Sequence, residues 1–182
     1  MWTVLFFNKV LSCKISKMKR IGILLISMMA LFSCQSPKEK QIDRIKSLEV
    51  SDSSFNVNIM NELNIAYIDF TEKYPDDAHT PEYLLKAAQR SSVLGKPNES
   101  IALFNKIIEK YPNSNFSEEA LFLKAYTYEN NLNETDKAEQ TYRDFIKKYP
   151  KSQLIEDAKL SLQNVGKSPE EIMKDITNKE ED

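Results

Sequence analysis

Glycine is scarce in this sequence, with three residues among 182, and histidine and tryptophan each occur once. Tight β-hairpin turns depend on glycine, so its scarcity, beside many lysine, glutamate, leucine and alanine residues, favours helices over sheets. The three glycines are isolated from one another, and no glycine-rich loop is present that could cradle a phosphate. These absences predict an all-α fold.

Residues suited to catalysis or metal binding are also few. The two cysteines, Cys13 and Cys34, both lie near the start of the chain, so no disulfide can form downstream. His79 is the single histidine, and it is interpreted as a solvated residue of the loop around it. No cysteine and histidine spacing suits zinc, and the paired carboxylates Glu118 and Glu119 are explained by a helix start. We therefore predict a protein that is not an enzyme and that has no catalytic residue, cofactor or metal.

The charge balance excludes a second class of function. The formal net charge is −2, but residues 1–33 contain five basic residues and no acidic one. Without that segment, 20 basic residues remain against 27 acidic ones, a balance of −7. Because phosphate binding needs clustered cations, nucleic acid is not expected as a partner.

The first 33 residues have the pattern of a secretory signal. Basic residues between positions 14 and 20 precede an apolar run over residues 21–32. As a helix that run would span about 18 Å, which is short of the ~30 Å hydrocarbon core. A charged start, a short apolar run and a small residue at the end predict a cleaved signal peptide. Met18 by itself begins a signal of ordinary proportions, so residues 1–17 are interpreted as an over-extended start.

The end of this segment, Leu31-Phe32-Ser33-Cys34, resembles the lipobox of bacterial lipoproteins. The resemblance implies cleavage before Cys34 and acylation of its thiol, and two or three acyl chains would anchor the protein stably. The alternative is an incidental thiol in an uncleaved anchor. Residues 34–54 would then be the lipidated cysteine, a polar tether and a lead-in, in which residues 41–50 form either a short helix or part of a longer lead-in to the first repeat. Because the tether lacks an acidic cluster, we expect the periplasmic face of a Gram-negative outer membrane.

A Tyr-Pro pair recurs at 74–75, 111–112 and 149–150, with a period of 37 and then 38 residues. A period of this size indicates a repeat array, in which stacked units bury a common core. We assign the array to residues 55–178 and expect a frayed tail at 179–182. Aligning the Tyr-Pro pairs places apolar or small residues together in three sets, which are Leu63, Ser100 and Ala138; Tyr67, Phe104 and Tyr142; and Phe70, Ile107 and Phe145.

Proline, glycine and capping residues predict the helix ends. The expected helices span residues 55–74, 80–94, 97–111, 117–131, 134–149 and 154–165, with a last one starting at Ser168-Pro169. The predicted N-caps are a serine among residues 51–54, Thr80, Ser117 and Ser168. A capping box joins Ser168 to Glu171.

The repeating units resemble the tetratricopeptide repeat. The unit over residues 80–112 fits that pattern at Leu84, Ala87, Ala88, Ser100, Phe104 and Pro112, and the next fits at Leu121, Ala125, Tyr128, Ala138, Tyr142, Phe145 and Pro150. Ser91 stands where a tyrosine is usual and Lys124 where a leucine is usual, and the period exceeds the family's of about 34. This longer form is similar to the repeats of outer-membrane lipoproteins that assist membrane-protein assembly or coordinate cell division with the Tol-Pal system. The resemblance implies an array of antiparallel helix hairpins, a superhelix of about three repeats with a capping helix.

In this family the first helix of each hairpin lines a groove that holds a protein or peptide. Carried over, the partner-binding positions are Glu82, Leu85, Gln89 and Ser92 in one unit, and Glu119, Phe122, Tyr126 and Glu129 in the next. Phe122 and Tyr126 lie one turn apart and could anchor a partner. The alternative is that both rings pack against neighbouring helices.

The resemblance predicts a lipid-anchored adaptor that binds a protein partner in the bacterial envelope. The alternatives are a component of outer-membrane protein assembly and an accessory subunit of an envelope enzyme.

Overall fold

The structure, a computed structural model, describes residues 35–52 and 56–180. Within those residues all regular secondary structure is helical and there is no strand, which confirms the all-α fold class. The chain divides into two units between residues 43 and 44, and helices from residue 57 onward belong to the second unit. The signal segment 1–33 and Cys34 lie outside the described residues. The helices are α1 (Pro37–Ser51), α2 (Val57–Lys73), α3 (Thr80–Val93), α4 (Pro97–Lys110), α5 (Phe116–Asn130), α6 (Thr135–Lys148), α7 (Ile155–Asn164) and α8 (Pro169–Glu180).

The helix ends follow the predicted chemistry at several positions. Gly95 and Gly166 follow α3 and α7 with φ of 73° and 78°, the left-handed conformation that ends a helix. At the start of α8, the Ser168 N–H donates to Glu171 Oε2 (2.8 Å) and the Glu171 N–H donates to Ser168 Oγ (3.2 Å). The predicted capping box is therefore confirmed.

Three predicted N-caps are wrong. Ser51 is the last residue of α1, and Asn56 caps α2 by accepting from the Asn58 N–H at 2.9 Å. Thr80 and Ser117 lie inside their helices and are buried. Their hydroxyls bond across the array instead, because both residues sit where consecutive units meet. Thr80 donates to the Tyr74 carbonyl, and Ser117 Oγ lies 3.2 Å from the Tyr149 hydroxyl.

Helix α1 is longer than predicted and begins at Pro37 rather than at residue 41. The Ser36 N–H donates to Glu39 Oε2 (2.8 Å), and the Glu39 N–H donates to Ser36 Oγ (3.2 Å). The bond from the Ser36 N–H is the main cause that lowers the pKa of Glu39. The sequence Ser-Pro-x-Glu, which starts α8, therefore also starts α1, and part of the expected tether is helical.

The repeated pattern forms the core. All nine residues in the three aligned sets are buried, from Leu63 on α2 to Phe145 on α6. Consecutive helices from α2 to α7 pack against each other in chain order, and α3 also packs against α5. The Tyr-Pro pairs end α2, α4 and α6, where each tyrosine N–H donates to the carbonyl four residues earlier. The second helix of each hairpin thus carries the repeated motif.

The unusual residue Ser91 is explained by a buried polar contact between α2, α3 and α4. Its hydroxyl donates to Glu99 Oε1 (2.7 Å) and accepts from Asn64 Nδ2 (3.1 Å). Asn64 also donates to Glu99 at 3.3 Å. A small hydroxyl residue is suited to this position because it satisfies one buried and one half-buried polar side chain, Asn64 and Glu99.

Candidate functional site

The eight predicted partner-binding residues lie on the neighbouring helices α3 and α5, and we call this surface the A-helix face. It consists of Glu82, Leu85, Gln89 and Ser92 on α3, and Glu119, Phe122, Tyr126 and Glu129 on α5. Two hydrogen bonds link α3 at this face to α5 and to Asn131, the residue that directly follows α5. Gln89 donates to Glu119 Oε1 (3.2 Å), and Ser92 donates to Asn131 Oδ1 (3.0 Å).

Two of these residues are turned toward the core. Leu85 is only 5% exposed, so it supports the face from beneath. Phe122 is half-buried, and its ring centroid lies 5.9 Å from that of Tyr142 and 5.7 Å from that of Phe145. Edge-to-face contacts at these distances are favourable, so Phe122 belongs with the core of its own hairpin.

Tyr126 differs from Phe122, although the two residues are one turn apart. Its side chain is 48% exposed, and it is an accessible aromatic residue on the A-helix face. Its helix neighbour Glu129 is held in place, because the Tyr142 hydroxyl donates to Glu129 Oε2 at 2.9 Å. Burial, and then Glu129 itself, raise the pKa of Tyr142, so this hydroxyl stays a neutral donor at physiological pH.

The end of α1 adds residues that were not predicted. Lys86 Nζ lies 2.8 Å from Glu49 Oε1, and Arg90 Nη2 lies 2.6 Å from Asp52 Oδ2. We call these four residues the α1 clasp. The Tyr67 hydroxyl also donates to Glu49 (2.6 Å), so the clasp joins the end of α1 to both α2 and α3.

Charge is balanced within the clasp. Burial acts to raise the pKa of Glu49, but hydrogen bonds from Lys86 and Tyr67 outweigh it and hold that pKa below its ordinary value. Burial likewise acts to lower the pKa of Lys86, but the carboxylates of Glu49 and Glu82 outweigh it and raise that pKa. Both residues are therefore charged at neutral pH, and the two cations beside the A-helix face are already paired.

A cavity of about 410 Å³ lies beside the clasp. It is open to solvent and combines apolar with charged walls. Its lining residues are Glu49, Met60, Tyr67, Lys86, Gln89, Arg90 and Val93. No local pattern signalled this arrangement, since Glu49 precedes the predicted repeat array and lies 37 residues before Lys86.

Other chemistry is sparse in the described part of the chain. The His79 ring lies 2.7 Å from Asp77 Oδ1 and stacks on Tyr83, with centroids 5.6 Å apart. Among residues 35–52 and 56–180, no group of three or more His, Cys, Asp or Glu side chains is placed to hold a metal ion. No helix in those same residues has the length and apolar character needed to cross a membrane.

The hairpins α3–α4 and α5–α6 repeat both the sequence pattern and the packing of one unit. Residues 82–114 and 119–152 each match the family model of the tetratricopeptide repeat. The match supports a tetratricopeptide-repeat protein. Comparison with curated proteins finds no match. Tetratricopeptide hairpins are typically non-catalytic modules that bind other proteins, and in this chain the A-helix face lies within the two matched segments.

Proposed function

We propose that this protein is a non-catalytic, lipid-anchored scaffold that binds a protein partner in the bacterial cell envelope. The observation that carries the proposal is an exposed aromatic residue, Tyr126, on the first helix of a matched tetratricopeptide repeat. Exposed tyrosines of this kind contribute large contact area at low entropy cost and often dominate protein interfaces. Leu85 and Phe122 pack into the core beneath the A-helix face. The backbone of this face is therefore ordered before a partner binds.

The anchor is proposed at Cys34, on the outer membrane and facing the periplasm. It is supported by the basic segment, the short apolar run and the lipobox-like Leu31-Phe32-Ser33-Cys34. Metabolic labelling with a fatty acid should mark the wild-type protein and the Cys13→Ser variant, but not Cys34→Ser. The Cys34→Ser variant should also leave the membrane fraction. Unchanged labelling or fractionation of this variant would contradict the anchor and leave the partner-binding proposal standing.

Partner binding is tested by photo-crosslinking in the cells that make the protein. A photoreactive amino acid at position 126 should form an adduct with one protein, which mass spectrometry identifies. The same amino acid at the exposed position 143 on α6 is the matched control and should not form that adduct. If both positions capture the same proteins, or position 126 captures none, the A-helix face is not the binding surface. The captured protein also separates a general scaffold from a component of outer-membrane protein assembly and from a subunit of an envelope enzyme.

A further inference from the structure

We propose that the A-helix face binds a polypeptide segment rich in arginine or lysine, an inference that rests on the function proposed above. The eight residues of this face include three carboxylates, Glu82, Glu119 and Glu129, and no cation. A surface of one charge sign favours partners of the opposite sign and repels others.

The cations nearest to the face are already neutralised. Lys86 lies 2.8 Å from carboxylate oxygens of both Glu49 and Glu82, and Arg90 pairs with Asp52. The clasp and the face together contain five carboxylates and two cations. Without Glu49 and Asp52, the cations Lys86 and Arg90 would attract an acidic segment. The two carboxylates of the α1 clasp neutralise them.

The next cation along α5, Lys124, is directed elsewhere. It is half-buried, and its Nζ lies 5.9 Å from the ring centroid of Tyr128. Burial lowers the pKa of Lys124, and the carboxylates that oppose this shift are Glu109 on α4 and Asp144 on α6, the second helices of their hairpins. The charge of Lys124 is thus balanced by carboxylates on the second helices and does not offset the negative charge of the A-helix face.

Tyr126 supplies a second, independent feature that suits a cation. Glu119 lies seven residues before it and Glu129 three residues after it, so all three residues share one stripe of α5. Cations bind over exposed aromatic rings, and an arginine guanidinium combines this contact with paired hydrogen bonds to a carboxylate.

The two carboxylates beside Tyr126 are held in position before any partner arrives. Glu119 accepts from Gln89 at 3.2 Å, and Glu129 accepts from the Tyr142 hydroxyl at 2.9 Å. A carboxylate has about four acceptor sites, so each can accept further bonds from a guanidinium or ammonium group. Because the groups are ordered in advance, less entropy is lost when a partner binds.

The test measures binding of labelled peptides to the full chain, purified in detergent as the cell makes it. The probes are short peptides of one background sequence that carry arginine, glutamine or glutamate at the same positions. Fluorescence anisotropy should show binding of the arginine peptide alone, with an affinity that falls as salt is added. The Glu119→Gln, Glu129→Gln double variant should weaken that binding about tenfold or more, and Tyr126→Ala about fivefold.

A control separates local from overall charge. The double variant Glu72→Gln, Glu139→Gln removes the same net charge from exposed or half-exposed sites on α2 and α6, and it should bind the arginine peptide like the wild type. Equal losses in the two double variants would overturn the inference, and so would the absence of binding that depends on Tyr126. If such binding prefers the glutamine or glutamate peptide, the inference fails but the scaffold function stands. Photo-crosslinking at position 126 decides that function separately.

Discussion

The ion pair between Arg90 and Asp52 provides a direct check on how the end of α1 is held. The Arg90 and Asp52 side chains are 21% and 18% exposed, and their closest atoms are 2.6 Å apart. In Arg90→Gln the Asp52 carboxylate loses its cation, while its other oxygen, Oδ1, is buried and has no hydrogen-bond partner among residues 35–52 and 56–180. Exposed pairs contribute below about 1 kcal/mol, and breaking a fully buried pair costs about 3–5 kcal/mol. We therefore expect a cost of about 2 kcal/mol for this partly buried pair.

A matched control is available on α6. Arg143 and Glu139 have the same 2.6 Å separation, but their side chains are 59% and 42% exposed and belong to one helix. Arg143→Gln should therefore cost only about 0.3–0.5 kcal/mol. For a domain of this size about 1 kcal/mol corresponds to about 2–4 °C in the unfolding midpoint. Thermal unfolding followed by circular dichroism should show a drop of about 4–8 °C for Arg90→Gln and about 1 °C for the control.

Hydrogen exchange shows where the stability is lost. Since Asp52 directly follows α1, the Arg90→Gln variant should speed amide exchange in residues 44–51, while α6 keeps its wild-type protection. Arg143→Gln should leave exchange in residues 44–51 unchanged. Equal midpoint shifts for the two variants, or unchanged exchange at the end of α1 in Arg90→Gln, would refute the assignment of the clasp as the contact that holds this helix.

Three further predictions concern the turns, the core and pH. Gly166→Ala should destabilise the fold more than Gly95→Ala, by about 1 kcal/mol or more in thermal unfolding. Both glycines have positive φ, but only a Cβ at position 166 would meet a neighbouring atom, the Thr135 methyl at 2.9 Å. Ser91→Ala should cost about 1–2 kcal/mol in denaturant unfolding because the buried Asn64 and the half-buried Glu99 each lose a hydrogen bond. The adjacent, half-exposed Ser92→Ala should cost under about 0.5 kcal/mol. The pKa of Glu49 is lower in the folded state than its ordinary value of 4.5. Glu49 therefore stabilises the fold above pH 4.5, and this stabilisation is lost as the pH falls through the lower pKa of the folded state. Glu49→Gln should remove this part of the acid dependence of the unfolding midpoint.

The sequence predicted the accessible face only in part. The family resemblance predicted that Glu119, Tyr126 and Glu129 share one side of α5, and the crossing bond from Gln89 to Glu119 agrees with that side meeting α3. Periodicity could not separate Phe122 from Tyr126, because residues one turn apart share a helix face and only the packing of α6 shows which ring is covered. Packing between helices also explains why the predicted caps at Thr80 and Ser117 are wrong. A hydroxyl near a helix start can bond to its own helix or to a neighbouring repeat, and the sequence does not show which.

The repeat period, the second helix of each hairpin and the nine aligned residues of the core could be predicted from the sequence, because these depend on local spacing repeated along the chain. The pairing of Glu49 with Lys86 and of Asp52 with Arg90 becomes visible only in the folded chain. From its sequence neighbours alone, each of these four residues would be interpreted as an ordinary charged surface residue. Their pairing depends on how the end of α1 lies against α3, and contacts between residues so far apart in sequence follow from no pattern within either helix.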